Sequence, residues 1–130
     1  MKLAHIAVAV KKINERIEVW QKIFGFNLKT TTEVADQKVK VAVLEGDGFH
    51  LELLEPLNEE SSVDKFIKKR GEGLHHLCFE VEDLEGVLAS LRSNNIELID
   101  QKPRMGAVGK KIAFLHPRSM GGVLIELVQK

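Results

Sequence analysis

The sequence holds a single cysteine, Cys78, among its 130 residues. One thiol makes no disulfide within the chain and excludes a thiolate-rich metal site. It suits a reducing compartment. Net charge is missing too: 19 lysines and arginines balance 19 aspartates and glutamates. The chain therefore has no broad electrostatic hold on nucleic acid or on an anionic membrane, and neither is expected as a partner. No apolar run approaches the roughly 20 residues that a membrane helix needs. The first strand-like run begins at Leu3, which leaves no room for a presequence, so the expected location is the cytoplasm. What is present is an ordinary globular composition, 44% apolar and 29% charged, in a length that builds one domain.

The chain repeats itself. At an offset of 71 residues, LAHIAVAV (3–10) falls on LHHLCFEV (74–81) and KVAVLE (40–45) on KIAFLH (111–116). Three residues are then added, and at an offset of 74 GFHLELL (48–54) falls on GVLIELV (122–128), which lays Glu52 on Glu126. Such self-similarity is the mark of a repeated structural unit. Each copy reads as βαβββ: an alternating strand (3–10; 76–81), an amphipathic helix (13–24; 84–93), a short strand (27–32; 96–100) and a hairpin pair (39–45 with 49–55; 111–115 with 123–129). Gly46-Asp47-Gly48 closes the first hairpin, and the Gly- and Pro-containing stretch 116–122 closes the second. The expected organisation is a single domain of two modules, 1–58 and 74–130. The linker 59–73 carries a short helix, 62–69, capped by Ser61 or Ser62 and stopped by Gly71.

Side chains alternate across a strand. Ile6, Val8 and Val10 should pack under the first helix, and Leu77, Phe79 and Val81 under the second. That sends His5 and His76 to the opposite faces. The hairpin strands bury Leu51 and Leu53, or Ile125 and Leu127, and send Glu52 and Glu126 the same way as the histidines. For any one of the four, a buried histidine with a backbone partner or a glutamate in a surface pair is the simpler reading. Four in repeat-matched positions favour a first shell for a divalent ion with nitrogen and oxygen preference.

The segments HIAVAV (5–10), LELLEPL (51–57), RGEGLHHLCFEVEDLE (70–85), KPRMGAVGKKIAFLHP (102–117) and GVLIELVQ (122–129) span nearly the whole chain. With them the sequence resembles the vicinal oxygen chelate superfamily, and within it is most similar to the methylmalonyl-CoA epimerases. The resemblance implies an α+β fold in which two tandem βαβββ modules form a curved mixed sheet around a metal site. It carries the metal ligands over to His5, Glu52, His76 and Glu126. The implied cofactor is one divalent ion per chain, cobalt in vitro, with manganese, nickel, zinc or magnesium as alternatives. The implied partners are a small CoA thioester substrate and a second copy of the chain in a homodimer.

The implied reaction interconverts (2R)- and (2S)-methylmalonyl-CoA through an enolate, with Glu126 as ligand and catalytic base. Epimerisation requires a proton taken from one side and returned on the other, hence two acid/base groups. Some members have a glutamate on the strand matching 39–44, where this chain reads VKVAVL. Lys40 has the non-helix parity there, and Glu33, Glu45, Glu52 or a water are the remaining candidates. His75 is read as structural, His50 as able to line the cavity, and the role of His116 is open. The cations near Lys65–Arg70 and at Arg104, Lys110 and Lys111 are either phosphate contacts or a solvated surface. Trp20 and Phe24 read as core, and Phe49, Cys78 and Leu124 as a methyl pocket. Three other functions compete: a glyoxalase I-type lyase acting on a glutathione hemithioacetal, a metal-free binding protein on the same scaffold, and an extradiol-type dioxygenase, which usually has two histidines and one glutamate around iron.

Overall fold

The computed structural model describes all residues, 1–130. Contacts divide the chain into two compact units: His5–His75, and His76–Lys130 together with Met1–Ala4. The first sequence copy supplies β1 (Lys2–Ala9), α1 (Ile13–Lys22), β2 (Asn27–Val34), β3 (Val39–Glu45) and β4 (His50–Pro56). The second supplies β5 (Gly73–Val81), α3 (Leu84–Ser93), β6 (Arg104–Met105), β7 (Lys111–Leu115) and β8 (Ile125–Gln129), and α2 (Ser62–Arg70) lies between them. Strand order is β2-β3-β4-β1 in one copy and β5-β8-β7-β6 in the other. The first and last strands of each copy pair in parallel, β1 with β4 and β5 with β8, and the hairpins pair antiparallel.

Alternation sets what each sheet face buries. In the first copy Ile6, Val8, Val10, Ala42, Leu44, Leu51 and Leu53 pack against Ile13 and Ile17 of α1. In the second, Val81, Ala113, Leu115, Ile125 and Leu127 pack against Leu84 and Leu88 of α3. The linker helix is no spacer. Ser61 caps it by accepting a hydrogen bond from the Val63 N–H at 3.2 Å. Gly71 ends it with a φ of 80°, a value that favours glycine. Its Val63 and Ile67 pack on the other face of the first sheet, over Ala7, Ala9, Val39 and Leu54.

Three expectations need correction. Residues 96–100 make only an isolated bridge, Leu98 with Leu115, and the short strand forms later, at Arg104–Met105, against β7. Phe24 is 62% exposed. The helix stops at Lys22, Gly25 turns the chain with a φ of 73°, and the Phe26 N–H donates to the Trp20 carbonyl. Phe26 therefore takes the inward place, edge-on to Trp20 at 5.8 Å and to Phe49 at 5.9 Å. Phe49 thus belongs to the aromatic cluster packed beside α1 rather than to a methyl pocket.

Both long helices start on a side chain from the last strand of their own copy. Glu55 Oε1 accepts from the Ile13 N–H at 2.7 Å, and Gln129 Oε1 accepts from the Leu84 N–H at 2.9 Å. The repeat offsets carry these donors and acceptors onto each other. The carboxylate of Glu55 also meets the positive end of the α1 dipole, which has no side-chain cap of its own. Glu55→Ala is expected to lower the unfolding free energy by about 1–2 kcal/mol in a urea titration. Glu55→Gln should lose much less, because it installs the group that the second copy already uses.

Glu72, the residue just before β5, ties the linker to α1. It accepts from Arg16 Nη2 at 2.7 Å and from the Lys11 N–H at 2.7 Å. The Arg16 hydrogen bond, then the backbone donor, hold its carboxyl below the ordinary 4.5. A lowered folded-state pKa contributes stability that is present above the unfolded value and lost as pH falls through the folded one. The stability gap between wild type and Arg16→Gln should therefore be constant near neutrality and shrink below about pH 4.5, as read from chemical unfolding at a series of pH values.

Candidate metal centre

On β1 and β4 the register sets His5 beside His50 and Ala7 beside Glu52. All four lie on the face away from α1. His5 Nδ1 is 3.2 Å from Glu52 Oε2, with side chains 16% and 21% exposed. On β5 and β8, Cys78 stands beside Glu126, on the face away from α3. His76 Nε2 is 3.1 Å from Glu126 Oε2, and their side chains are 9% and 12% exposed. Each unit thus holds one imidazole–carboxylate pair, half-buried in the first copy and buried in the second, built from its first and last strands. The repeat-related histidines use different ring nitrogens.

Two donors that each sit about 2.1 Å from one ion at a right angle are about 3 Å apart. Both pairs have that spacing, so each fits two neighbouring positions of a coordination shell. Imidazole with carboxylate suits a divalent transition metal. Cys78 is fully buried, with its sulfur within 4.8 Å of a Glu126 carboxylate oxygen. Phe114 stands on the other side of Glu126 in the register and meets His76 edge-on at 5.8 Å.

A family model described as the Glyoxalase/Bleomycin resistance protein/Dioxygenase superfamily matches residues 4–114. The methylmalonyl-CoA epimerase of Dictyostelium discoideum, a mitochondrial protein, is 35% identical over 130 residues, which is 99% of this chain and 78% of that protein. The chain belongs to this superfamily and, within it, to the methylmalonyl-CoA epimerase family. Among solved structures, a hypothetical protein from Bacillus halodurans superposes with a TM-score of 0.95 at 41% identity, covering 99% of this chain and 94% of that one. A variant of the Streptomyces coelicolor methylmalonyl-CoA epimerase bound to 2-nitronate-propionyl-CoA superposes at 0.88 with 34% identity, covering 100% and 94%. These likenesses extend over both βαβββ copies, so the glyoxalase-type fold expected of an epimerase family member is the fold found. No helix is long and apolar enough to cross a membrane.

The other sequence candidates sort by parity. Lys40 pairs with Glu55 and Ala42 with Leu53, so Lys40 lies on the α1 face, not on the face of Glu52 as expected. Glu33, paired with Lys40, goes with it. The residues of β3 on the Glu52 face are Val39, Val41, Val43 and Glu45, and Glu45 stands beside His50. His75 stacks on Phe66 of α2 at 4.9 Å, a packing role. His116 caps the short 3-10 turn at Pro117–Ser119, where its Nδ1 accepts from the Arg118 N–H at 3.0 Å. Sequence reasoning missed Phe114. The signal was available, because alternation from Ala113 and Leu115 inward puts Phe114 on the Glu126 face.

Proposed function

We propose that the protein is a metal-dependent methylmalonyl-CoA epimerase, in which His5, Glu52, His76 and Glu126 hold one divalent ion, such as cobalt. The observation that carries this reading is the repetition of one imidazole–carboxylate pair, at 3.1–3.2 Å, in both halves of a chain of this family. An ion bound there supplies a Lewis acid for the oxygen on which charge develops when the α-proton leaves. Glu126 is the group that takes or returns that proton on one side of the α-carbon. Its carboxylate is nearly enclosed, between a buried thiol and an aromatic ring, and that enclosure keeps water from competing for the proton. The proton on the other side needs a second group. With valines at three of the four Glu52-face positions of β3, Glu45 is the remaining carboxylate on that face, and Glu52 is the other candidate. The family likeness supports a homodimer, and the lone cysteine supports a reducing compartment such as the cytoplasm.

Exchange of the α-hydrogen of methylmalonyl-CoA in deuterated water tests the reaction. Wild-type protein should catalyse it, and Glu126→Gln should slow it by about 100-fold or more. Undiminished exchange would remove Glu126 from the reaction. Exchange seen only with a glutathione hemithioacetal would replace the epimerase with a glyoxalase.

The shared ion has a separate readout. After chelator dialysis, a divalent ion at about 100 times its dissociation constant should stabilise the wild type by about 2.7 kcal/mol, seen as a rise in the unfolding temperature. His5→Ala and His76→Ala should each abolish the rise. Two independent sites would instead leave part of it in each variant.

A further inference from the structure

Arg104 is held in an unusual setting for a surface cation. Its register with Ile112 places it on the same face of β6–β7 as Phe114, one row away from it. Asp100 fixes both residues: Oδ1 accepts from Arg104 Nε at 3.1 Å, and Oδ2 accepts from the Phe114 N–H at 2.8 Å. The guanidinium carbon sits 5.5 Å from the centroid of the Phe114 ring. The same ring meets His76 edge-on. Only Nε is engaged by a protein acceptor, and the side chain is 48% exposed. The two terminal amino groups, four N–H donors in a fixed fork, have no protein acceptor, an arrangement suited to phosphate or carboxylate.

The rest of the row has the same character. Arg104, Ile112, Val128 and Glu80 stand side by side across β6, β7, β8 and β5. Lys110 reaches the same row, with Nζ 3.7 Å from Glu80. The 106–110 turn closes over Ile112 so tightly that a Cβ on Gly106 would fall 2.9 Å from Ile112 Cγ2 and force a shift. The matching row of the first copy is Ala9, Leu54, Val41 and Thr32. Its first three residues are apolar and pack with α2, and only the exposed Thr32 at the Arg104 position is polar. One copy therefore closes this row with a hydrophobic helix, and the other with a glycine turn flanked by two cations.

We infer that Arg104 binds the diphosphate of the CoA arm. The inference rests on the proposed function for its ligand class. The guanidinium and the His76 ring each contact Phe114, at 5.5 and 5.8 Å from its centroid, so Arg104 stands beside the His76–Glu126 pair and is not a member of it. An acyl-CoA offers its further anionic groups only beyond the pantetheine arm, as phosphates. A fork held by Asp100 and Phe114 meets them with little loss of side-chain entropy.

Titration calorimetry with CoA and with pantetheine, under reducing conditions, tests this. Arg104→Gln should weaken CoA binding about tenfold or more, while pantetheine affinity stays within about twofold. Arg104→Lys should fall between, because it keeps the charge and loses the fork. An unchanged CoA affinity in Arg104→Gln, an equal loss for both ligands, or a wild type that does not bind CoA would each overturn the inference. A wild type that binds CoA through Arg104 yet exchanges no α-hydrogen would overturn the epimerase reading and leave Arg104 standing. Thermal unfolding of each variant confirms that the fold is kept.

Discussion

Every functional feature of this molecule depends on the two-residue period of a β-strand. β1, β4, β5 and β8 each give one face to a helix and the other to a small set of polar groups. Ile6 and Val8, with Leu51 and Leu53, are driven against α1 by apolar burial, and each buried aliphatic side chain contributes about 1.5–3 kcal/mol. That burial fixes the register. A slip of one residue would expose the whole set and bury its neighbours. The ionisable groups are thus placed by the packing of the residues between them. His5 and Glu52, or His76 and Glu126, share a half-buried face because leucines and isoleucines claim the opposite one. Pairing at 3.1–3.2 Å makes the burial tolerable, since an imidazole and a carboxylate each supply what the other lacks.

Duplication doubles this arrangement without copying it. The histidines are equivalent in sequence, but one presents Nδ1 to its glutamate and the other Nε2. The helix start is also doubled, once with a carboxylate and once with an amide. The greatest divergence lies on the row beyond the polar pair. There the first copy buries Ala9 and Leu54 under α2, while the second leaves Arg104 and Lys110 around a turn.

The parts legible from sequence are those set by local alternation. The strands, the α1 and α3 faces, Ser61 and Gly71 at the ends of α2, and the shared parity of the four candidate ligands all follow from periods of 2 and 3.6. The illegible parts have long-range causes. Nothing within the segment 96–105 selects Arg104–Met105 over Glu97–Asp100 as the strand, because the choice is made by pairing with β7 and by the Asp100 clamp on Phe114. Phe24 keeps helical spacing from Trp20, but the turn at Gly25 ends the helix before it can face inward. The parity of Lys40 was not legible because 39–45 is apolar on both faces, with Val39 and Val41 on one and Ala42 and Leu44 on the other. Pairing of Lys40 with Glu55 across the hairpin decides the matter. The caps from Glu55 and Gln129 span more than 40 residues of chain, so no local reading finds them, though the repeat offset lays one on the other.

The valines of β3 bear on how the two proton positions differ. If Glu126 serves one side of the α-carbon, its proton is sheltered, since only 12% of that side chain meets solvent. No equally enclosed carboxylate faces the Glu52 side of β3. Glu45 is 53% exposed and lies 3.5 Å from Lys29, and Glu52, paired with His5 as Glu126 is with His76, is 21% exposed. A group open to water trades its proton with solvent faster than an enclosed one, so the two sides of the α-carbon would be served by unlike acids. The epimer whose α-hydrogen leaves toward the open side should then wash out its label into solvent on nearly every turnover. The other should return part of its own hydrogen. Such a difference follows from the unequal enclosure of the carboxylates, and two equally enclosed bases would not produce it.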